Sequence, residues 1–173
     1  DVSYYLYNTQ QPEEELQEEK ERIISQFKTI RNSRNDIYNI AVVADNGRSI
    51  LNEGEDQFTE YIDVREQSWY QAALSTKNLI AISSSHVQNA IQSSYKWVIT
   101  LSRPLVNYKT GENGGVFFID LNYNAISSLC SNNNIGGSGY IFILDENGNI
   151  IYHPQQQLMY GGLKTENIDE IMS

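Results

Sequence analysis

Cysteine, proline, histidine and tryptophan are all scarce in this chain of 173 residues, at one, three, two and two copies. The lone Cys130 excludes an internal disulfide framework. It is neutral on compartment, because a reducing cytosol permits it and so does a surface protein that needs no staples. Bases are also in deficit: 12 Lys and Arg face 22 Asp and Glu, for a net charge of −10. That balance argues against nucleic acid, whose phosphates need a basic face, and against an anionic membrane surface. No apolar run reaches about 18 residues, so no membrane-spanning helix is expected within these residues. The opening Asp1-Val2-Ser3-Tyr4 is polar and lacks a signal-peptide pattern. His86 and His153 lie far apart without cysteine or acidic spacing, so neither a zinc site nor any other metal site is expected. Asp45, Asp145 and Glu146 sit in tight turns, where acids serve turn geometry rather than calcium. Phosphate loop, dinucleotide fingerprint and nucleophile elbow are all missing, and no cofactor is expected.

What is present is a 40% apolar content, enough for a core, in a length that suits one domain or one domain plus a fragment of a second. Residues 1–12 show no period and read as a lead-in, or as the end of a helix that begins upstream. From Glu13 the pattern is helical. Leu16, Ile23, Phe27 and Ile30 form a narrow stripe, with acids early and Lys20, Arg22, Lys28 and Arg31 later, as the helix dipole favours. Such a helix either packs along a sheet or pairs with a copy of itself, so residues 13–31 are a candidate homodimer contact.

Ile37–Ala44 and Arg48–Leu51 flank Asp45-Asn46-Gly47, a strong short hairpin signal that suggests a tight primed turn. A polar loop, 52–59, leads to Tyr61-Ile62-Asp63-Val64-Arg65-Glu66-Gln67-Ser68-Trp69-Tyr70-Gln71-Ala72-Ala73, with a helix expected over Ser68–Ser75. Further strands are expected over Leu79–Ser83, Tyr95–Leu105 and Val116–Leu121. The Gly- and Asn-rich stretch Asn107–Gly115 joins the last two. A short helix over Asn124–Ser131 precedes a second hairpin, Tyr140–Leu144, Asp145-Glu146-Asn147-Gly148, Asn149–Tyr152. It repeats the order of the first about a hundred residues on, which suggests two copies of one module. Only about twenty residues follow His153-Pro154, including a helical stretch over Glu166–Met172, so the second copy is expected to be partial.

The expected class is therefore α+β: a long N-terminal helix, a five-stranded antiparallel sheet of PAS type, and a partial second module of the same type. In order and spacing the chain resembles the Cache (PDC) extracellular sensor domains of bacterial membrane receptors. The resemblance rests on Asp63-Val64-Arg65 with Trp69-Tyr70-Gln71-Ala72-Ala73, on Gly115-Val116-Phe117-Phe118-Ile119-Asp120-Leu121, and on Gly139–Gly148 with His153-Pro154. It implies an N-terminal helix over 1–36, a membrane-distal module over 37–125 and a partial membrane-proximal module over 126–173. It also implies a place on the extracellular or periplasmic side, flanking transmembrane helices outside these residues, and an output domain inside the cell. That output is most often a histidine kinase, otherwise a chemoreceptor or cyclic-dinucleotide enzyme.

Trp69 and Tyr70 offer flat apolar faces with hydrogen-bonding tips, and Arg65 offers a fork of donors, so this segment suits a small polar ligand. The plainer alternative makes Trp69 and Tyr70 ordinary core and pairs Arg65 with Asp63 or Glu66. The resemblance implies that Asp120 holds a ligand ammonium. It also implies an arginine where this chain has Gln67, a departure that suits a sugar, amide or nucleobase better than a bare carboxylate. Ser84 and His86 follow the third strand and could face the same cavity or lie in a solvated loop. Lys96 and Arg103 read as surface charges. Ser84, His86 and Asp120 do not make a credible triad, because Ser and His two apart on a strand share a face without contact geometry, so no catalysis is expected. The ligand set expected from sequence is thus Arg65, Gln67, Trp69, Tyr70, Ser84, His86 and Asp120.

Overall fold

The computed structural model describes residues 2–8, 10–54, 56–76, 79–92, 94–132 and 139–173. Asp1 and Thr9 of the lead-in and Glu55 of the polar loop lie outside them. The lead-in is not irregular. Val2–Tyr7 form a short helix, α1, with Leu6 and Tyr7 buried. Six residues cannot display a period, and this helix is fixed by what it meets. Arg48 donates to the carbonyls of Tyr5 and Asn8 at 3.0 and 2.9 Å, and Asn46 donates to that of Leu6 at 2.9 Å, so cations and amides serve the helix C-terminus. The Tyr7 hydroxyl donates to the Gly114 carbonyl, and its burial raises the hydroxyl pKa to about 12. Helix α2, Glu13–Ser33, carries three glutamates in its first turn and Arg31 in its last. Ile23 and Phe27 are buried against the sheet, whereas Ile30 is exposed.

Among the described residues the main sheet is antiparallel and runs β2-β1-β6-β5-β3, with β4 also on β5. The strands are β1 Ile37–Ala44, β2 Ser49–Leu51, β3 Ala81–Ile82, β4 His86–Gln88, β5 Lys96–Val106 and β6 Asn113–Asn122. Between β2 and β3 lie a single 3-10 turn at Val64–Glu66 and α3, Ser68–Ser75. The expected third strand, Leu79–Ser83, is thus shortened to Ala81–Ile82, and β4 was missed. The Ser83 hydroxyl accepts from Thr100 N at 2.9 Å, so a side chain interrupts the ladder on that edge. Ser85 N turns away to the Ile151 carbonyl at 3.0 Å.

The sheet has two faces, as strict alternation requires. Ile40, Val42, Ala44, Phe117 and Ile119 face α2, while Ala41, Val43, Val116 and Phe118 face α3. The first hairpin turn differs from the expected primed turn. Only Gly47 takes a positive φ, +86°, with Gly47 N donating to the Ala44 carbonyl, which is a four-residue turn closed by a glycine bulge. Asp145–Gly148 makes the same turn, with Gly148 at φ +82°.

The C-terminal part adds α4 Tyr123–Ser131, a two-stranded sheet of β7 Ile143–Leu144 and β8 Ile150–Tyr152, α5 Gln156–Tyr160, which the sequence did not suggest, and α6 Ile168–Met172. Ile151 and Tyr152 pack on Ile99, Tyr123, Ile126 and Cys130. The Tyr123 hydroxyl donates to the His153 carbonyl at 2.9 Å, and that of Tyr160 donates to the Ser85 carbonyl. Glu166 receives the Tyr140 hydroxyl at 2.6 Å, His153 Nε2 at 2.9 Å and Lys164 Nζ at 3.2 Å. These partners, Tyr140 first, pull its carboxyl down to about 2.

Strands β1 and β6 approach most closely at Gly115, where a Cβ would stand 2.4 Å from the Val43 carbonyl oxygen and 2.8 Å from Ala44 Cα. Backbone cannot yield as a side chain can. Gly115→Ala is expected to destabilise the protein by about 1–3 kcal/mol, read from the denaturant midpoint. An unchanged midpoint would show that the strand pair has slack there.

Candidate functional site

The segment Asp63–Tyr70 is positioned by its own short-range chemistry. Asp63 accepts from Arg65 N at 2.9 Å, capping the 3-10 turn, and also receives the Arg65 guanidinium at 3.0 and 2.9 Å. Both side chains lie in solvent. The fork of Arg65 is therefore occupied by its neighbour and points away from the interior. Gln67 is half-buried and begins α3 with its backbone. These two residues sit at the mouth of the segment.

Trp69 and Tyr70 point inward. Trp69 is 1% exposed, with its ring 4.3 Å from Phe118 and edge-on to Tyr70 at 6.1 Å. Ser102 Oγ donates to the Trp69 carbonyl at 2.8 Å and ties α3 to β5. Trp69 belongs to the apolar cluster with Val116 and Phe118, and its buried indole Nε1 has no hydrogen-bond partner among the described residues. A buried donor left unmade costs about 1–3 kcal/mol, which marks this nitrogen as a candidate to meet a ligand.

Asp120 lies one pleat from Phe118 on the α3 face of β6 and is fully buried. Its two neighbours across the ladder are Asn39 of β1 and Thr100 of β5. Thr100 Oγ1 donates to Oδ1 at 2.6 Å, while Asn39 Nδ2 and Gln88 Nε2 donate to Oδ2 at 2.8 and 2.9 Å. Asn39 in turn accepts from Asn52 Nδ2 at 3.1 Å, and that same nitrogen reaches Asp56 at 2.5 Å. Asn52 holds φ +52°, the left-handed region that asparagine tolerates best among side-chain-bearing residues. Among the described residues no ion pair includes Asp120. Desolvation pushes the Asp120 carboxyl above its ordinary value, and the three donors and the nearby His86 only partly oppose it. A buried carboxylate short of positive charge is built to take a cation or a donor-rich group.

The seven residues expected from sequence therefore divide. Trp69, Tyr70 and Asp120 share the α3 face of the sheet. His86 touches its edge: Nε2 lies 3.4 Å from Thr100 Oγ1, and Nδ1 lies 3.0 Å from the Ser84 carbonyl. The half-buried Ser84 lines a different hollow, towards Gly148 and Tyr160. Arg65 and Gln67 stay outside the polar row. Sequence reasoning missed Asn39, Gln88, Thr100 and Asn52. Asn39 carried a signal, an amide inside the apolar run Ile37–Ala44. Gln88 carried none, because its strand is three residues long.

The family model described as a Cache domain matches residues 4–171. Two curated chemotaxis receptors are similar to the chain. The methyl-accepting chemotaxis protein TlpA of Bacillus subtilis is 28% identical over 116 residues, 62% of this chain and 16% of that protein. PscA of Pseudomonas syringae pv. tomato is 28% identical over 97 residues, 56% of this chain and 14% of that one. Among solved structures, the ligand-binding domain of the Pseudomonas aeruginosa PAO1 amino acid chemoreceptor PctB in complex with L-Arg superposes at a TM-score of 0.64. It is 21% identical, over 81% of this chain and 51% of that one. The ligand-binding domain of Campylobacter jejuni Tlp3 in complex with L-norvaline superposes at 0.58, with 22% identity over 91% and 59%. At such identities these likenesses show the fold. The chain spans only a small part of the curated receptors and roughly half of the solved domains.

A raised carboxylate pKa fixes the sign of a stability effect. The neutral form is favoured in the folded state, so Asp120's contribution is full below its unfolded value of 3.8 and is lost as pH rises through the folded value. Asp120→Asn is expected to make the ligand-free protein more stable than wild type at pH 7, with the gain shrinking as pH falls towards 3.8. Urea titrations at pH 7 and pH 4 measure it. A less stable variant at pH 7 would mean that the three donors fully compensate the charge.

Proposed function

The chain belongs to the Cache domain family, and from that premise we propose that it is the extracellular or periplasmic ligand-binding part of a membrane chemoreceptor. Cache sensor domains are binding modules rather than enzymes. The expectation of a histidine kinase host gives way to a chemoreceptor, because both curated relatives are methyl-accepting chemotaxis proteins. The membrane anchors and the output domain belong to the rest of the receptor. Within these residues, 37–125 form the sensing module and 126–173 the start of a second.

The ligand is a small polar molecule with an ammonium group, an amino acid foremost. The observation that carries this reading is the buried Asp120, held by three neutral donors with no ion-pair partner among the described residues, on the same sheet face as Trp69, whose indole N–H has no partner among them either. Similar solved domains are described in complex with L-Arg, L-norvaline and L-serine, which supports the class. Arg65 is turned to Asp63, so the far end of the ligand meets neutral donors, Trp69 Nε1 and Gln67, rather than a guanidinium. That favours ligands whose second group is an amide, a hydroxyl or a well-solvated carboxylate. The alternative partner, a second copy through residues 13–31, is less well supplied. Ile23 and Phe27 face the protein's own sheet, which leaves Ile30 and a charged outer face for a homodimer.

A thermal-shift screen of amino acids, their amides, sugars, organic acids and purines tests the reading. At a ligand concentration about 100-fold over Kd, a gain of about 2.7 kcal/mol is expected, enough to move the melting point clearly. Asp120→Asn is expected to remove the shift while melting cooperatively, and Trp69→Phe, which keeps the ring but not the donor, to weaken it. A hit that persists in Asp120→Asn would place the ligand elsewhere.

A further inference from the structure

A second hollow lies on the other face of the sheet, where the C-terminal segment meets the starts of β1 and β5. It measures about 520 Å³, the size of a small-molecule site. Its walls include the rings of Tyr38, Trp97 and Tyr123, the ammonium of Lys96, and the side-chain amides of Asn124 and Gln157.

Several features distinguish these walls from ordinary surface. Tyr123 is fixed by its hydroxyl bond to the His153 carbonyl, and its ring stands 6.2 Å from that of Trp97. Trp97 remains 38% exposed although it packs on Tyr160 at 5.9 Å as well, so one face of a large ring stays open to the hollow. Lys96 Nζ sits 4.4 Å above the Tyr38 ring and, among the described residues, joins no ion pair. Among the described residues no acid lines the hollow, in a chain whose net charge is −10. The Asn124 and Gln157 amide groups make no hydrogen bond to the protein among the described residues. A positive charge held over a ring repels cations and attracts anions, and the Trp97 and Tyr123 rings, tilted 54° to each other, offer an apolar corner to a ligand ring. The polarity is opposite to that around Asp120.

We propose that this hollow is a second binding site, for a small ring-bearing carboxylate whose acid group meets Lys96 and whose ring lies on Trp97 with its edge towards Tyr123. The amides of Asn124 and Gln157 take polar ring substituents. The ring is aromatic or that of a sugar acid, which packs on an indole through its apolar C–H face, and the carboxylate on Lys96 is common to both. Because the site is built from the base of the first sheet and from 154–158, its occupant bridges the sensing module and the segment that leads onward. It is independent of the Asp120 row, which lies on the opposite face.

The fluorescence of the two tryptophans separates the sites, since Trp97 lines this hollow and is 38% exposed while the buried Trp69 lies on the opposite face. Benzoate and galacturonate serve as ring acids, benzamide as the ring without the charge, and acetate as the charge without the ring. Saturable quenching by a ring acid is expected, at least about tenfold tighter than by benzamide or acetate. Lys96→Gln should abolish the preference for the acid over the amide, and calorimetry should show no ring-acid binding to Trp97→Ala. Asp120→Asn should leave both readouts unchanged, so failure here and failure of the amino-acid reading are distinct. Which ring acid quenches identifies the source of the ring. Absence of saturable quenching by either ring acid, a preference that survives Lys96→Gln, or loss of binding in Asp120→Asn would each overturn the junction site.

Discussion

Burying one carboxylate in the middle of an apolar sheet face is the constraint around which much of this domain is arranged. Asp120 needs donors from three sides, and they come from three other strands: Asn39 on β1, Thr100 on β5 and Gln88 on β4. The first two are its cross-strand neighbours, so the β1–β6 and β5–β6 registers must both be right for the carboxylate to be satisfied. A slip of one residue would carry it to the α2 face, against Phe27 and its aromatic partner Phe117. Register is held at the far end by the close approach at Gly115. Support reaches further out through Asn52, whose strained backbone lets one amide serve Asn39 and Asp56 together.

The same row leads towards the long helix. The loop after β2 carries Asn52 and Asp56 on the side of the polar row and Glu53 on the side of α2. Glu53 faces Lys28 and Arg31 at 3.6 and 3.7 Å. These pairs are exposed and of small energy, so their value is geometric rather than energetic. A ligand that draws on Asn39 thereby touches a chain of contacts ending on α2. Only different affinities for two arrangements of that chain can turn contact into signal. On the other side, the C-terminal segment is fixed to the sheet through Ser85, Tyr123 and Tyr160.

Much of this was legible in the residues. The helix over Ser68–Ser75, the two Asn-Gly hairpins and the central apolar strand were readable because local chemistry decides them. The aspartate on that strand was readable as a candidate because an acid there must be paired, exposed at the strand end or reserved for a cationic or hydroxyl group. What escaped was decided by distant parts of the chain. Helix α1 is too short to have a period and depends on Arg48. Strand β4 is three residues long and exists by pairing with β5 and by the break at Ser83. Arg65 looked like a ligand group because its fork is generic, but the fold adopts the plainer alternative, a pairing with Asp63. The rest of the polar row was hidden because Asn39, Thr100 and Gln88 stand far apart in sequence, although Asn39 did interrupt an otherwise apolar run.

The satisfied row is a set of side chains, while the ladder beneath it is backbone. The pairing of β1 with β6 and of β6 with β5 asks nothing of the identity of residues 39, 100 or 88. Positions 39, 100 and 88 are nevertheless not free, because each donates to a buried carboxylate that is costly to leave unsatisfied. The four side chains are therefore tied into one unit, which evolution can exchange as a set but not piece by piece.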